Sequence, residues 1–358
     1  MKTKLFLTLL ISVGIFYSCE KDKQSTISIA SKTGYYVINE GAWGYSNASI
    51  GFLPDDEDYM DELFKSVNVR PLGDVLTSMC INESSNTAYL VLNSSNKIEI
   101  IDADNFQQKG VIEGLESPRD MVINDNKAYV SQWGAQGCVK VIDLSNNTIT
   151  NTIPVGVGPE GMLIVNNNLW VANSGGYGTD NEVSVINLNT LQVAKTITVG
   201  DNPVDFVLDK NDDVWVLCAG YTEYDPVDYS IIISQTPSQL VNISTQSFDV
   251  QKTLTISDSS HPLHLATNPD GSVIYFGGGY GFNGIFAQDI TSEVISGIPL
   301  IDGYFYSITV NQFTGDIIGT QAPTFTDPGS LSIYDDNGSL ILNKVVGIGP
   351  NGVIYKSK

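Results

Sequence analysis

Histidine, the side chain that most often carries acid–base chemistry and binds metal, is scarce in this sequence. Its 358 residues include two histidines, His261 and His264, both in the stretch SSHPLHLA. Imidazole can ligate a metal or move a proton near neutral pH. A metallohydrolase or lyase site draws its groups from several segments, and two imidazoles at one corner fall short of that. His264 is placed to face a central site, and His261 reads as a loop cap. No G-x-S-x-G nucleophile elbow and no phosphate-gripping loop occurs. The acidic stretches Asp55-Asp56-Glu57-Asp58 and Thr179–Glu182 lack the spacing of a known calcium cage and read as solvated acid. GYGFNG and GGYGTD are glycine-rich, but each leads from strand to strand, where a dinucleotide fingerprint requires a helix. Cys80, Cys138 and Cys218 cannot all pair and read as buried free thiols. No cofactor is expected, and the chain reads as a binding protein and not an enzyme. What remains is aromatic: Trp43, Tyr45, Trp133, Tyr177, Tyr221, Tyr224, Tyr280, Phe282 and Phe325 stand in segments rich in Gly, Asn and Ser. Such rings, fringed by amides, suit a large, flat, partly polar ligand.

Those rings have to be held by something, and the sequence says what. From Val139 to Gly176 apolar residues alternate in short runs (VKVIDL, PEGMLIV, LWVAN) separated by Asn-rich turns, which reads as one strand after another with no helix between. The pattern recurs. Leu76, Pro118, Pro159, Pro203, Pro262, Phe305 and Pro350 open equivalent strands at steps of 41 to 45 residues, with one step of 59. The long step holds an insertion, CAGYTEYDPVDYS, after strand Val214–Leu217. A period in the low forties with four strands per unit is the signature of a β-propeller blade. The chain ends on PNGVIY, an inner strand without a blade. It begins, after a leader, with Tyr35–Asn39, Ala48–Leu53 and a segment around Leu63–Val67, a blade without an inner strand. Joining the two predicts an all-β, seven-bladed propeller closed by the C-terminal strand, which leaves no free edge.

In such a ring the B–C and D–A connections share one face. The A–B and C–D turns on the other face are short and polar. Six of the seven B–C loops carry the aromatic residues named above, and only Asn93–Asn96 is plain. The residues two places after each blade opening (Ser78, Asp120, Gly161, Asp205, His264, Ser307 and Gly352) are expected to ring the channel mouth on that same face. Asp120 and Asp205 have two readings, as ligand contacts or as locks on local backbone amides.

The first residues form a separate signal. Lys2 and Lys4 precede an apolar core, Leu5 to Phe16, too short for a comfortable membrane span, and Tyr17-Ser18-Cys19 follows. Residues 1–18 are read as a lipoprotein signal peptide, 19–33 as a lipidated Cys19 with a polar tether, and 34–358 as a single propeller domain. The chain carries 18 basic and 40 acidic residues, a formal charge of −22. This excludes nucleic acid as a partner and disfavours adsorption to anionic lipid.

The repeat carried by VKVIDLSNNTITNTIPVGVGP and VSVINLNTLQVAKTITVGDNP resembles that of the YncE-type propellers. Together with the lipoprotein-like leader and the acidic Glu20 and Asp22, the chain resembles Bacteroidota lipoprotein propellers, including the BtuG-type surface proteins. That resemblance implies capture of cobalamin or a related corrinoid on one face, hand-over to a TonB-dependent outer-membrane transporter, and a lipid-anchored place at the outer membrane, facing out. A glycan-binding or adhesive propeller is the alternative, followed by a periplasmic quinoprotein-like or lyase-like enzyme.

Overall fold

A computed structural model describes residues 27–357; the leader and Cys19 lie outside them. The described chain forms seven antiparallel blades around a central channel. Blades 2 to 7 each have four strands, and their innermost strands are Leu76–Asn82, Pro118–Asn124, Pro159–Val165, Pro203–Leu208, His264–Thr267 and Ile308–Val310. Blade 1 closes the ring. Its inner strand is Pro350–Lys356, which pairs antiparallel with Gly34–Asn39, and Gly34–Asn39 pairs with Ser49–Pro54. Its fourth position is marked by a single bridge between Phe52 and Met60. The segment around Leu63–Val67 is not a strand. It is a short helix, Leu63–Asn68, that buries Leu63, Phe64 and Val67 against blades 1 and 2.

The alternation of apolar residues explains why the blades stack. Successive side chains of a strand point to opposite faces, and both faces of every blade meet a neighbour. Tyr35 enters the apolar layer between blades 7 and 1, and Tyr36 enters the layer between blades 1 and 2. Trp170 faces blade 5, while Leu169 and Val171 face blade 3. Seven such layers replace a single core. Removing a ring such as Trp170, which is fully buried, would cost about 3–5 kcal/mol.

The turns repeat as exactingly as the layers. At the end of the third strand of a blade, an Asp or Asn side chain accepts backbone N–H groups two or three residues on. Asp102 takes those of Asp104 and Asn105 (both 3.1 Å), Asp143 that of Ser145 (2.8 Å), and Asn187 those of Asn189 and Thr190 (3.0 and 3.1 Å). This is the physical content of the repeated I-[DN] step.

Polar links tie neighbouring blades together near the channel. Asn93 Nδ2 donates to the Pro118 carbonyl (3.1 Å) and Ser131 Oγ to the Glu160 carbonyl (2.7 Å). At the closure, Thr320 Oγ1 donates to the Pro350 carbonyl (2.6 Å) and Asn351 Nδ2 to the Leu76 carbonyl (3.0 Å). The C-terminal strand is thus joined to both neighbours.

The end of the expected tether is part of the fold. Ile29 is fully buried in the layer between blades 1 and 2, its N–H donates to the Asp104 carbonyl (2.8 Å), and Lys32 pairs with Glu57. The alternation of Ile27 and Ile29 in STISIAS is a strand-like signal hidden in a polar run. Cys80, Cys138 and Cys218 are free thiols. Cys138 and Cys218 are buried, and burial pushes Cys80 and Cys218 each up to about 12. Among the described residues no helix is long and apolar enough to cross a membrane.

Candidate functional site

The B–C and D–A connections meet at one end of the channel and enclose a cavity of about 680 Å³ with walls from all seven blades. Its floor is polar and tightly bonded. Arg119 Nε donates to Glu160 Oε1 (2.8 Å), and Trp133 Nε1 donates to Glu160 Oε2 (3.0 Å). The Arg119 guanidinium lies over the Trp133 ring, 4.7 Å from its centroid. Burial works against that charge, but Glu160 and Glu40 outweigh it and hold the Arg119 pKa above its ordinary value. Across the channel Tyr306 Oη donates to Glu40 Oε2 (2.8 Å) and Asn351 Nδ2 to Glu40 Oε1 (2.9 Å). Burial pushes Glu40 up, and these two hydrogen bonds only partly offset it. The amide oxygens of Asn202 and Asn351, also in the lining, have no protein partner.

Asp120 and Asp205 lie in the same lining, and their carboxylates are occupied by backbone. Asp120 Oδ1 accepts the N–H of Met121 (2.8 Å) and Oδ2 that of Met162 in the next blade (3.1 Å). Asp205 repeats this with Phe206 and with Leu265 of blade 6 (both 2.8 Å). Each carboxylate staples one blade to the next. Burial outweighs these hydrogen bonds and raises Asp120 to about 6 and Asp205 to about 7. His264 also lines the cavity, and burial holds its imidazole down at about 4. His261 anchors the blade 5 insertion: its Nδ1 lies 2.7 Å from the Ala219 carbonyl and its Nε2 2.7 Å from Thr222 Oγ1. That insertion is a two-stranded hairpin, Tyr221–Tyr224 with Ile232–Thr236, and it turns Tyr221, Thr222 and Tyr224 toward the cavity.

The aromatic residues named from the sequence divide into groups. Trp133, Tyr221 and Tyr224 line the mouth, and Tyr177, 97% exposed, stands edge-on to Trp133 at 5.2 Å. The loop bearing Tyr177 is fixed by close packing on the preceding connection. Gly158 has φ 58, and a Cβ there would lie 2.0 Å from the backbone nitrogen of Gly176. Tyr280 and Phe325 line a second cleft of about 590 Å³ between the blade 6 and blade 7 loops, divided from the mouth by Tyr306. Tyr45 lines a smaller hollow of about 270 Å³ beside Phe64, and Trp43 stands 79% exposed on the same blade 1 loop. Phe282 belongs elsewhere. It is 4% exposed and packs with Phe276 and Phe286 in the layer between blades 5 and 6, so it is a core residue and not part of the rim.

Sequence reasoning missed Arg119, Glu160, Tyr306 and Asn351. All four follow a blade-opening residue by one place, where the expectation pointed to two. The inner strands carry β-bulges at that point, with register shifts at Leu76/Ser78, Pro118/Met121, Pro159/Met162 and Pro203/Asp205. A bulge breaks simple alternation and re-aims side chains. The residue after the opening then faces the channel, while Asp120 and Asp205 reach across to the next blade. Among the described residues no group of three or more His, Cys, Asp or Glu side chains is arranged to hold a metal ion.

Residues 33–343 match the family described as a domain of unknown function, DUF5074. No curated protein matches the sequence. Among solved structures the chain is similar to a quinonprotein alcohol dehydrogenase-like protein of Bacteroides thetaiotaomicron, with 15% identity, a TM-score of 0.65, and 90% of this chain and 78% of that one covered. It is also similar to hydrazine synthase of Kuenenia stuttgartiensis, with 14% identity, a TM-score of 0.59, and 77% and 88% covered. At these identities the likeness is one of fold, which does not fix function.

Proposed function

This chain belongs to the DUF5074 family, and from that premise we propose that it is a ligand-capture protein whose mouth binds cobalamin or a related corrinoid. One observation carries the proposal: a rim of aromatic rings stands over a floor rich in hydrogen-bond acceptors. Trp133, Tyr177, Tyr221 and Tyr224 offer ring surface. Below them the Glu40 and Glu160 carboxylates belong to the channel lining, together with Asn202 and Asn351. A corrinoid is a broad apolar ring edged with primary amides, and those amides are N–H donors. The ligand is larger than the 680 Å³ cavity, so it would lie across the mouth with amide-bearing edges reaching down. The floor groups are already held by one another, which limits the ordering cost of binding.

The same bonding favours capture over catalysis. Both nitrogens of His261 are engaged, Glu160 is tied to Arg119 and Trp133, and Glu40 to Tyr306 and Asn351. In this proposal Cys19 carries the lipid at the outer membrane, and the partner is a TonB-dependent transporter. The leader pattern and the family resemblance support that part.

The test is a calorimetric titration of cyanocobalamin into protein lacking the leader and Cys19. Tight one-to-one binding is the expected result; no heat and no spectral change at micromolar protein overturns the proposal. A glycan-binding surface is the second reading, favoured by the bare rings of Tyr177 and Tyr280, 97% and 89% exposed. Hits on a glycan array without corrinoid binding would select it.

A further inference from the structure

The cleft between the blade 6 and blade 7 loops differs in chemistry from the mouth beside it. Its volume, about 590 Å³, lies in the range of small-molecule sites. Tyr280, Tyr304, Tyr306 and Phe325 give it aromatic walls, and Pro323 and Val345 add aliphatic surface. No Asp, Glu, Lys or Arg lines it, although the chain carries a net charge of −22. Its polar side chains are largely engaged with protein. Gln321 Nε2 donates to the Tyr304 carbonyl (3.1 Å), and Ser330 Oγ donates to Gln321 Oε1 (3.0 Å).

Two of the walls are set by the backbone of their loops. Phe325 has φ 55, in the left-handed region that bulky residues avoid. Thr324 keeps it there: its Oγ1 accepts the Asp327 N–H (3.0 Å) and donates to Asp327 Oδ2 (2.8 Å). The strained backbone presents the Phe325 ring edge-on to Tyr306 at 5.1 Å. Tyr280 sits between Gly279 and Gly281, both at positive φ, and is 89% exposed. Its ring is mounted over the cleft with little protein against it. Aromatic rings gathered on one uncharged cleft, with Tyr280 bare to solvent, mark a surface open to an outside contact.

We propose that this cleft is a second ligand site, separate from the mouth, that takes a planar, uncharged aromatic group. Aromatic rings pair in offset-stacked or edge-to-face geometry, and the four rings allow both. An anion would find no cation in the lining. The two sites share only Tyr306, so this one does not depend on what the mouth binds.

The probe is benzimidazole at neutral pH, with benzoate as its charged counterpart, titrated into protein lacking residues 1–19 and followed by ligand-observed NMR. The described propeller carries its own seven apolar layers, so this protein retains the fold. Benzimidazole should bind saturably and benzoate at least about tenfold more weakly. Tyr280→Ala and Phe325→Ala should each weaken benzimidazole by about tenfold, and Trp133→Ala should leave it unchanged. Tyr280→Ala removes an exposed ring and does not threaten the fold. Absence of saturation, equal binding of benzoate, or loss in Trp133→Ala with retention in Tyr280→Ala would overturn the proposal. A mouth that ignores cobalamin leaves this result standing, and an inert cleft leaves the mouth's titration standing.

Discussion

Asp205 is where the structure makes its sharpest quantitative claim. Its carboxyl is buried at the joint between blades 5 and 6 and accepts one N–H from each. Burial raises its pKa from the ordinary 3.8 to about 7. The folded value lies above the unfolded one, so the group's contribution to stability is full below about pH 4 and is lost as pH rises through 7. Each pH unit in that window is worth about 1.4 kcal/mol. The sequence pI of about 4.2 makes the acid end prone to precipitation, so the practical comparison runs from pH 5 to pH 8.5. Over that range ionisation of Asp205 should remove about 3 kcal/mol. Asp205→Asn cannot ionise and has nearly the same shape. The assay is equilibrium urea unfolding of both proteins across the range. Asp120 titrates in both and its charge helps to raise Asp205, so the wild-type minus variant difference reports Asp205 together with that coupling and should fall by about 3 kcal/mol toward alkaline pH. Parallel curves would refute the reasoning that burial dominates over the two N–H donors.

Other expectations follow from particular contacts. Phe282→Ala should lower stability by about 3–5 kcal/mol in thermal or urea unfolding and leave ligand binding unchanged, whereas a rim residue would show the reverse. Trp133→Ala combined with Tyr221→Ala should abolish or strongly weaken cyanocobalamin binding by calorimetry while the melting curve stays near wild type. Cys138 and Cys218, 6% and 0% exposed, should resist iodoacetamide in the native protein and react once it is unfolded, as mass spectrometry would show. Deleting residues 350–358 should expose the inner edge of Gly34–Asn39 and yield aggregating protein by size-exclusion chromatography.

The parts of the structure that were legible in the sequence are those encoded locally. The alternation that sends Tyr35 and Tyr36 into different layers needs only a period of two, and the Asp102, Asp143 and Asn187 turns need only three or four consecutive residues. The closure was legible because an orphan strand at each end implies the other. What could not be read depends on contacts between segments. Phe282 and Tyr280 share one glycine-rich loop, and only the neighbouring blade decides that the first is buried and the second bare. The channel lining was legible at Ser78, Asp120, Gly161, Asp205 and His264, while Arg119, Glu160 and Asn351, one place earlier, were not, because a bulge has no composition of its own. Leu63–Asn68 is too short for helical periodicity to separate it from a strand.

The docking of Ile29 against Asp104 sets a direction for the whole molecule. Asp104 lies in a C–D turn, on the face opposite the mouth, and Gly34–Asn39 rises from that same side. A lipid on Cys19 would therefore pull from underneath. Eight residue steps separate Cys19 from Ile27, a reach of at most roughly 28 Å. If Cys19 is anchored as proposed, the propeller would stand with its open end away from the bilayer, toward whatever arrives from solution. To pass cargo to a channel in the same membrane it would have to tip over, with the short leash as pivot. Loading and unloading would then belong to two different postures of one rigid body.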